Sequence, residues 1–199
     1  MRQLFDDYAD RFDHALVDKL DYRAPQLLAD ALARTIERRG GLAVMDVGCG
    51  TGLAAPLLKP YAARLDGVDL SPAMVARAAE RGLYDELVVG ELVSVLRDRA
   101  EAYDLVVAAD VLVYLGDLEP VMRAARAALK PGGAFAFTVE RTGDAETYLL
   151  GPKQRYAHAA DYVAGTAALA GFAVALLEEA VPRRDGGHDV PGLVVVLRA

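Results

Sequence analysis

The 199-residue sequence has one cysteine, Cys49, so no disulfide can close within the chain and cysteine usage gives no support for secretion. No apolar run approaches the roughly 20 residues of a membrane span. Met1 to Asp10 lacks the pattern of a signal peptide. Lysine and arginine number 22 against 29 acidic residues, and the net charge of −7 argues against a nucleic-acid partner, which needs clustered positive charge. The histidines His14, His158 and His188 are scattered without an i,i+4 pair, so no metal site is expected. Internal repeats and low-complexity tracts are also missing. These absences predict a cytoplasmic protein with no membrane partner; a monomer or homodimer is expected.

What is present is the composition of a folded domain, 54% hydrophobic and 26% charged, at a length that suits one core rather than two. The chain is organised around Val44 to Gly52. Its first half is apolar and β-branched, as in a buried strand, and its second half, Gly48-Cys49-Gly50-Thr51-Gly52, is a glycine turn entering a helix at Leu53. Such a turn is expected to offer backbone amides to a ligand. A dinucleotide fingerprint needs its third glycine at position 53, which is Leu. Asp46, two residues before Gly48, repels a pyrophosphate and attracts an ammonium group. A cofactor with a cationic amino-acid end fits better.

The run Asp46-Val47-Gly48-Cys49-Gly50-Thr51-Gly52 resembles the first motif of class I S-adenosylmethionine (SAM) dependent methyltransferases. Lys130-Pro131-Gly132-Gly133, leading into the strand Ala134 to Glu140, resembles another of their hallmarks. The wording of Phe5-Asp6-Asp7-Tyr8-Ala9, Tyr22-Arg23-Ala24-Pro25, Ala109 to Leu118 and Arg155-Tyr156-Ala157-His158 is similar to a bacterial group of predicted methyltransferases often fused to tetratricopeptide repeats. One repeat takes about 34 residues of paired helix and none fits here, so a free-standing catalytic domain is expected. The resemblance implies a Rossmann-like α/β fold, with a seven-stranded, mostly parallel sheet in the order 3-2-1-4-5-7-6, the last strand antiparallel, and helices on both faces. It implies SAM as cofactor and S-adenosylhomocysteine (SAH) as product, with Asp46 and the backbone of Gly48, Cys49, Gly50 and Gly52 holding the methionine part.

Along the chain, residues 1–24 form an amphipathic helix counted with the domain at 25–199. In the resemblance this helix covers the cofactor and Tyr8 reaches its carboxylate. A helix is expected over Pro25 to Arg39, ended by Gly40-Gly41. After the short helix Leu53 to Lys59, the strand Arg64 to Leu70 carries Asp69 at its carboxyl end, where an acid accepts both hydroxyl protons of a ribose. Ser71-Pro72 supply the cap of the next helix, Ala73 to Arg81. The third strand ends at Glu91-Leu92. There the resemblance implies an acid accepting a bond from the adenine amino group, although a helix-start role for Glu91 is equally open. Tyr103 to Leu112 is a central strand ending at Asp110, and the backbone of Asp110 and Val111 is implied to lie under the sulfonium. Leu70 and Leu92 complete the implied cofactor set. The closing strands, Phe172 to Glu178 and Gly192 to Leu197, leave no room for a crossover helix and must be antiparallel.

The polar and aromatic stretch 142–160 has no clear period and lies on the ligand edge. His158, Glu140 and Tyr156 are the candidate catalytic residues there, His158 first because imidazole titrates nearest neutral pH. A helix-start surface histidine is the competing reading. The function expected is methyl transfer to a small-molecule acceptor, through oxygen or nitrogen. A protein methyltransferase and a non-catalytic SAM-binding sensor or scaffold are the alternatives, and a nicotinamide oxidoreductase is disfavoured by Leu53.

Overall fold

The structure is a computed structural model that describes residues 22–37, 40–143, 145–151 and 153–199. In chain order it contains α1 (Ala24–Thr35), β1 (Leu42–Val47), α2 (Ala55–Leu58), β2 (Ala62–Asp69), α3 (Pro72–Glu80), β3 (Glu86–Val89) and α4 (Leu92–Arg97). There follow β4 (Tyr103–Ala108), a 3-10 turn (Leu112–Tyr114), α5 (Glu119–Ala128), β5 (Leu129–Arg141), β6 (Tyr148–Leu150), β7 (Tyr156–His158), α6 (Ala160–Leu169), β8 (Ala173–Asp185) and β9 (His188–Arg198).

Successive side chains of a strand point to opposite faces, and strands apolar throughout must therefore be covered on both. That is the case here. Phe135 and Phe137 of β5, Val106 of β4 and Val195 of β9 pack on one face beneath α4, α5 and α6. Ala134, Ala136, Leu105 and Val194 pack on the other, beneath α1 and α2. β1–β2, β2–β3, β1–β4 and β4–β5 are parallel pairs. β9 runs antiparallel between β5 and β8. The order is β3-β2-β1-β4-β5-β9-β8, which is the expected seven-stranded sheet with its antiparallel strand in place.

Several boundaries differ from the sequence reading. The helix after the glycine turn is a single turn, Ala55–Leu58, and Leu92–Arg97, not assigned from sequence, is helical. Ser71 caps α3 as expected, its hydroxyl accepting from the Met74 amide at 3.2 Å. The aperiodic stretch contains the antiparallel hairpin β6–β7. Three-residue strands are too short to show a period, which is why sequence pattern missed them.

This hairpin has a defined seat. Glu140 pairs with Gly192 of β9 and also with Ala157 of β7. A strand residue has one neighbour on each edge, so β7 lies on the β4 edge of β5, beyond the end of β4. The hairpin therefore stands over the carboxyl end of the sheet.

Gly192 is where β5, β8 and β9 are drawn closest. A Cβ there would lie 2.6 Å from Cγ and Cδ of Pro182 and 2.8 Å from the Val139 carbonyl oxygen. Gly192→Ala is expected to lower stability by about 1–3 kcal/mol through overpacking. The check is urea unfolding, where the midpoint should fall with the slope unchanged.

Candidate functional site

Parallel strands deliver their carboxyl ends to one edge, and the loops there line a single cleft of ≈ 620 Å³, within the size range of small-ligand sites. Its first wall is the loop after β1. Gly48 (φ 67°), Gly50 (φ 53°) and Gly52 (φ 81°) occupy left-handed backbone that side chains disfavour. At Gly48 a Cβ would stand 2.3 Å from Val111 Cγ2, so the glycine is needed for close approach as well as for φ. The loop does not present a row of bare amides. Gly48 and Cys49 donate to the Val68 carbonyl at 2.8 and 3.0 Å, Gly52 donates to Cys49, and Gly50 donates to Asp69 Oδ2 at 2.9 Å. Its contribution to the cleft is mainly shape. Gly52 is not on the cleft wall at all; it turns the chain against Arg81 and Tyr84.

Asp46 lies on the cleft wall but is only 1% exposed. The Tyr84 hydroxyl donates to its Oδ2 at 2.6 Å. Burial pushes the Asp46 carboxyl up to about 7, with Asp69 adding to the rise and the Tyr84 bond opposing it. Asp69, at the end of β2, accepts from the Gly50 amide and, through Oδ1, from the Ser71 amide at 2.9 Å. Glu91 caps α4, accepting from the Val93 and Ser94 amides at 2.9 Å, as the helix-start reading anticipated. Burial acts most on its carboxyl and upward, but these bonds together hold it below its usual value. Glu91 still lines the cleft, beside Leu92 and across from Asp69 and Leu70. Cys49 also lines it, and burial pushes its thiol up, away from reactivity.

The opposite wall begins at Asp110, whose φ of 58° is unusual for a residue with a side chain. Its amide donates to Thr138 Oγ1 at 2.9 Å. Its Oδ1 accepts from Arg155 Nη2 at 2.5 Å. Arg155, brought in by the hairpin, also donates from Nε to Glu140 Oε1 at 2.5 Å and from Nη1 to the Tyr114 hydroxyl at 2.9 Å. Arg183 of β8 donates to the same Glu140 oxygen at 2.9 Å and lies 3.5 Å from Asp185, which Lys153 joins at 2.6 Å. Charges thus alternate from Asp110 in the cleft to Lys153 at the surface. Tyr22 closes this end, its hydroxyl donating to the Ala109 carbonyl at 3.3 Å.

Of the residues named from sequence, Asp46, Gly48, Cys49, Gly50, Asp69, Leu70, Glu91, Leu92, Asp110 and Val111 are brought together around the one cleft. Tyr8 lies outside the described residues. None of the three candidate catalytic side chains is on the wall. His158 is neither catalytic by position nor a surface residue. It is 0% exposed, stacked on Tyr162, with Nε2 facing the Leu115 and Gly116 carbonyls at 3.0 and 3.1 Å. Burial lowers its pKa, against those carbonyls, which favour the charged form. Glu140 is taken up by two arginines. Tyr156 packs edge-on to Tyr148. Sequence reasoning gave no site role to Arg183 or to Tyr22, the latter noted only within the run Tyr22-Arg23-Ala24-Pro25; both reach the wall from distant parts of the chain.

This geometry is accompanied by likeness to known proteins. Residues 45–135 match the family described as a methyltransferase domain. The ubiquinone biosynthesis O-methyltransferase of Methylobacterium sp. (strain 4-46) is 36% identical over 111 residues, covering 53% of this chain and 44% of that protein. Its counterpart from Salmonella arizonae is 36% identical over 115 residues, covering 54% and 48%. The chain spans about half the length of these curated relatives. Among solved structures, the Burkholderia thailandensis 1,6-didemethyltoxoflavin N1-methyltransferase, bound to its substrate and SAH, aligns with a TM-score of 0.76 at 20% identity, over 99% of this chain and 86% of that one. A SAM-dependent methyltransferase from Mesorhizobium loti aligns with a TM-score of 0.64 at 21% identity, over 85% and 96%. The fold is the class I methyltransferase fold.

A buried acid with a raised pKa works against folding when it ionises. The stability associated with neutral Asp46 is fully present below about pH 4 and is lost as the pH rises through about 7. Asp46→Asn is therefore expected to stabilise the protein by about 4 kcal/mol near pH 8 and by only about 1 kcal/mol near pH 4.5. Urea unfolding of both proteins at the two pH values checks this, and an equal difference at both would contradict it.

Proposed function

We propose that this chain is a SAM-dependent methyltransferase acting on a small-molecule acceptor through oxygen or nitrogen. The observation that carries the reading is the succession of Asp46, Asp69 and Glu91 at the ends of β1, β2 and β3, around one cleft. The residues suit the cofactor's chemistry: a buried acid for the cationic amino-acid end, an acid at the end of β2 for the ribose hydroxyls, and an apolar, acid-edged recess at Leu70, Glu91 and Leu92 for adenine. Val111 closes on Gly48 where the methionine part would lie, and the domain match and the class I fold agree with this placement.

Bound SAM supplies a methyl carbon already activated by a sulfonium. The chain then has to exclude water, hold the acceptor in line and accommodate its proton. The far wall of Tyr22, Asp110, Tyr114 and Arg155 supports an acceptor compartment and so favours an enzyme over a non-catalytic sensor or scaffold. The size of the cleft, ≈ 620 Å³, favours a small molecule over a protein side chain, and the net charge of −7 speaks against nucleic acid. Residues 1–24 as a cofactor-covering helix with Tyr8, a place among bacterial methyltransferases often fused to tetratricopeptide repeats, a cytoplasmic location and a monomeric or homodimeric state belong to the same reading. Among the described residues no helix is long and apolar enough to cross a membrane.

Calorimetry should show SAM and SAH binding to the whole chain and NAD not binding. Asp69→Ala is expected to weaken SAH by about tenfold or more, through loss of hydrogen bonds to a charged acceptor. Asp46→Asn should weaken SAH as well, although it stabilises the fold. NAD binding in place of SAH would overturn the assignment.

A further inference from the structure

We infer that Asp110 is the proton acceptor for a hydroxyl-bearing methyl acceptor, held in place by Arg155 from the β6–β7 hairpin. This rests on the methyltransferase reading and deepens it. Asp110 follows β4 in a left-handed conformation that a side chain adopts at an energetic penalty, and such strain is typical of positions held for function. Three contacts fix it there: its amide on Thr138, its Oδ1 on Arg155, and Arg155 in turn on Glu140. Oδ2 receives no hydrogen bond among the described residues, and Asp110 lies on the cleft wall.

The surroundings select among acceptors. Arg155 is paired to Asp110, and Glu140 is shared by Arg155 and Arg183, so an ammonium group approaching Asp110 would meet a carboxylate whose charge is already answered. An uncharged hydroxyl needs no such charge. The guanidinium groups of Arg155 and Arg183 line this end of the cleft, so it also offers donors. A hydroxyl beside a second oxygen, on a flat apolar body between Tyr22, Tyr114 and Leu115, answers both groups. In the step itself the O–H bond breaks and the proton passes to Asp110 Oδ2. The oxygen lone pair bonds to the methyl carbon as the carbon–sulfur bond breaks onto sulfur. The groups that set the ionisation of Asp110 are Arg155 beside β7, Glu140 of β5, Arg183 of β8, Tyr114 of the 3-10 turn and Tyr22 before α1. Burial raises its pKa against the pull of Arg155, which brings the carboxylate closer to the basicity a hydroxyl proton requires.

The test uses the whole chain and catechol as probe, with benzylamine as the amine comparison. SAH-saturated protein is titrated with each by calorimetry. Catechol should bind, and Asp110→Asn, which suits left-handed backbone and keeps an oxygen for Arg155, should weaken it about tenfold or more while leaving SAH affinity within about threefold. Methylation of catechol should fall by about 10²–10⁴ in the same variant, with loss of the acidic limb of its pH profile. Independently, the Asp110 carboxyl is titrated by carbon NMR in the ligand-free protein. Arg155→Met should move its midpoint to higher pH, and Arg155→Lys, which keeps the charge and tests for mere structural damage, should restore it towards the parent value. Absent catechol binding, benzylamine binding as well as catechol, unaltered catechol binding in Asp110→Asn, or an unmoved midpoint in Arg155→Met would each overturn the assignment. Failure of the parent protein to bind SAH would instead overturn the methyltransferase reading on which it rests.

Discussion

The cleft depends on one close approach, that of Val111 to the backbone of Gly48. The loops after β1 and β4 leave adjacent strands side by side, and they can meet only because position 48 has no side chain. If they were held apart, Asp46 and Asp110 would belong to two separate depressions. Because they touch, the acids at the ends of β1, β2 and β3 and the charged wall beyond β4 line a common space. Glycine at this position is thus a statement about tertiary distance as much as about a turn.

Beyond that contact, the wall is organised by charge neutrality. A carboxylate, a guanidinium, a second carboxylate and a second guanidinium follow one another through Asp110, Arg155, Glu140 and Arg183. Each ion taken from water is compensated by a neighbour of opposite sign within hydrogen-bond reach, the condition under which buried charges are tolerated. The same chain of ions fastens four parts of the sheet: the end of β4, the hairpin, the end of β5 and the extended end of β8. Asp46 is the exception, a buried acid with a tyrosine hydroxyl and, among the described residues, no cation paired with it. The fold tolerates that imbalance at the position where a cationic ligand is expected.

The sheet was legible because its signals are local. Runs such as Leu105-Val106-Val107-Ala108 are apolar on both faces and read as central strands; the glycine turn, the Ser71 cap and the closing antiparallel strands each carry their own chemistry in a few residues. The position of the acids around the first half of the cleft was legible for the same reason, since they sit at strand ends. The wall beyond β4 was not. Its hairpin strands are three residues long, and Arg183 comes from the far end of the chain. His158 was misjudged because residue type indicates what a side chain can do and not which way it faces: at the end of β7 it turns inward under Tyr148 and Tyr162. Glu91 was correctly open between two roles, because a carboxylate at a strand end that begins a helix meets both descriptions.

The two halves of the cleft come from different lengths of chain. Asp46 to Leu92 build one without interruption, while Asp110, Arg155 and Arg183 build most of the other. The hairpin bearing Arg155 lies outside the core strands and is held by two paired residues of β5, by the ion pairs of Arg155 and Lys153, and by His158 against Leu115, Gly116 and Tyr162. A change in its length or wording can therefore remodel one half of the cleft without disturbing the other. In this architecture the wall beyond β4 is a replaceable part, and the wall built by residues 46–92 is the chassis to which it is bolted.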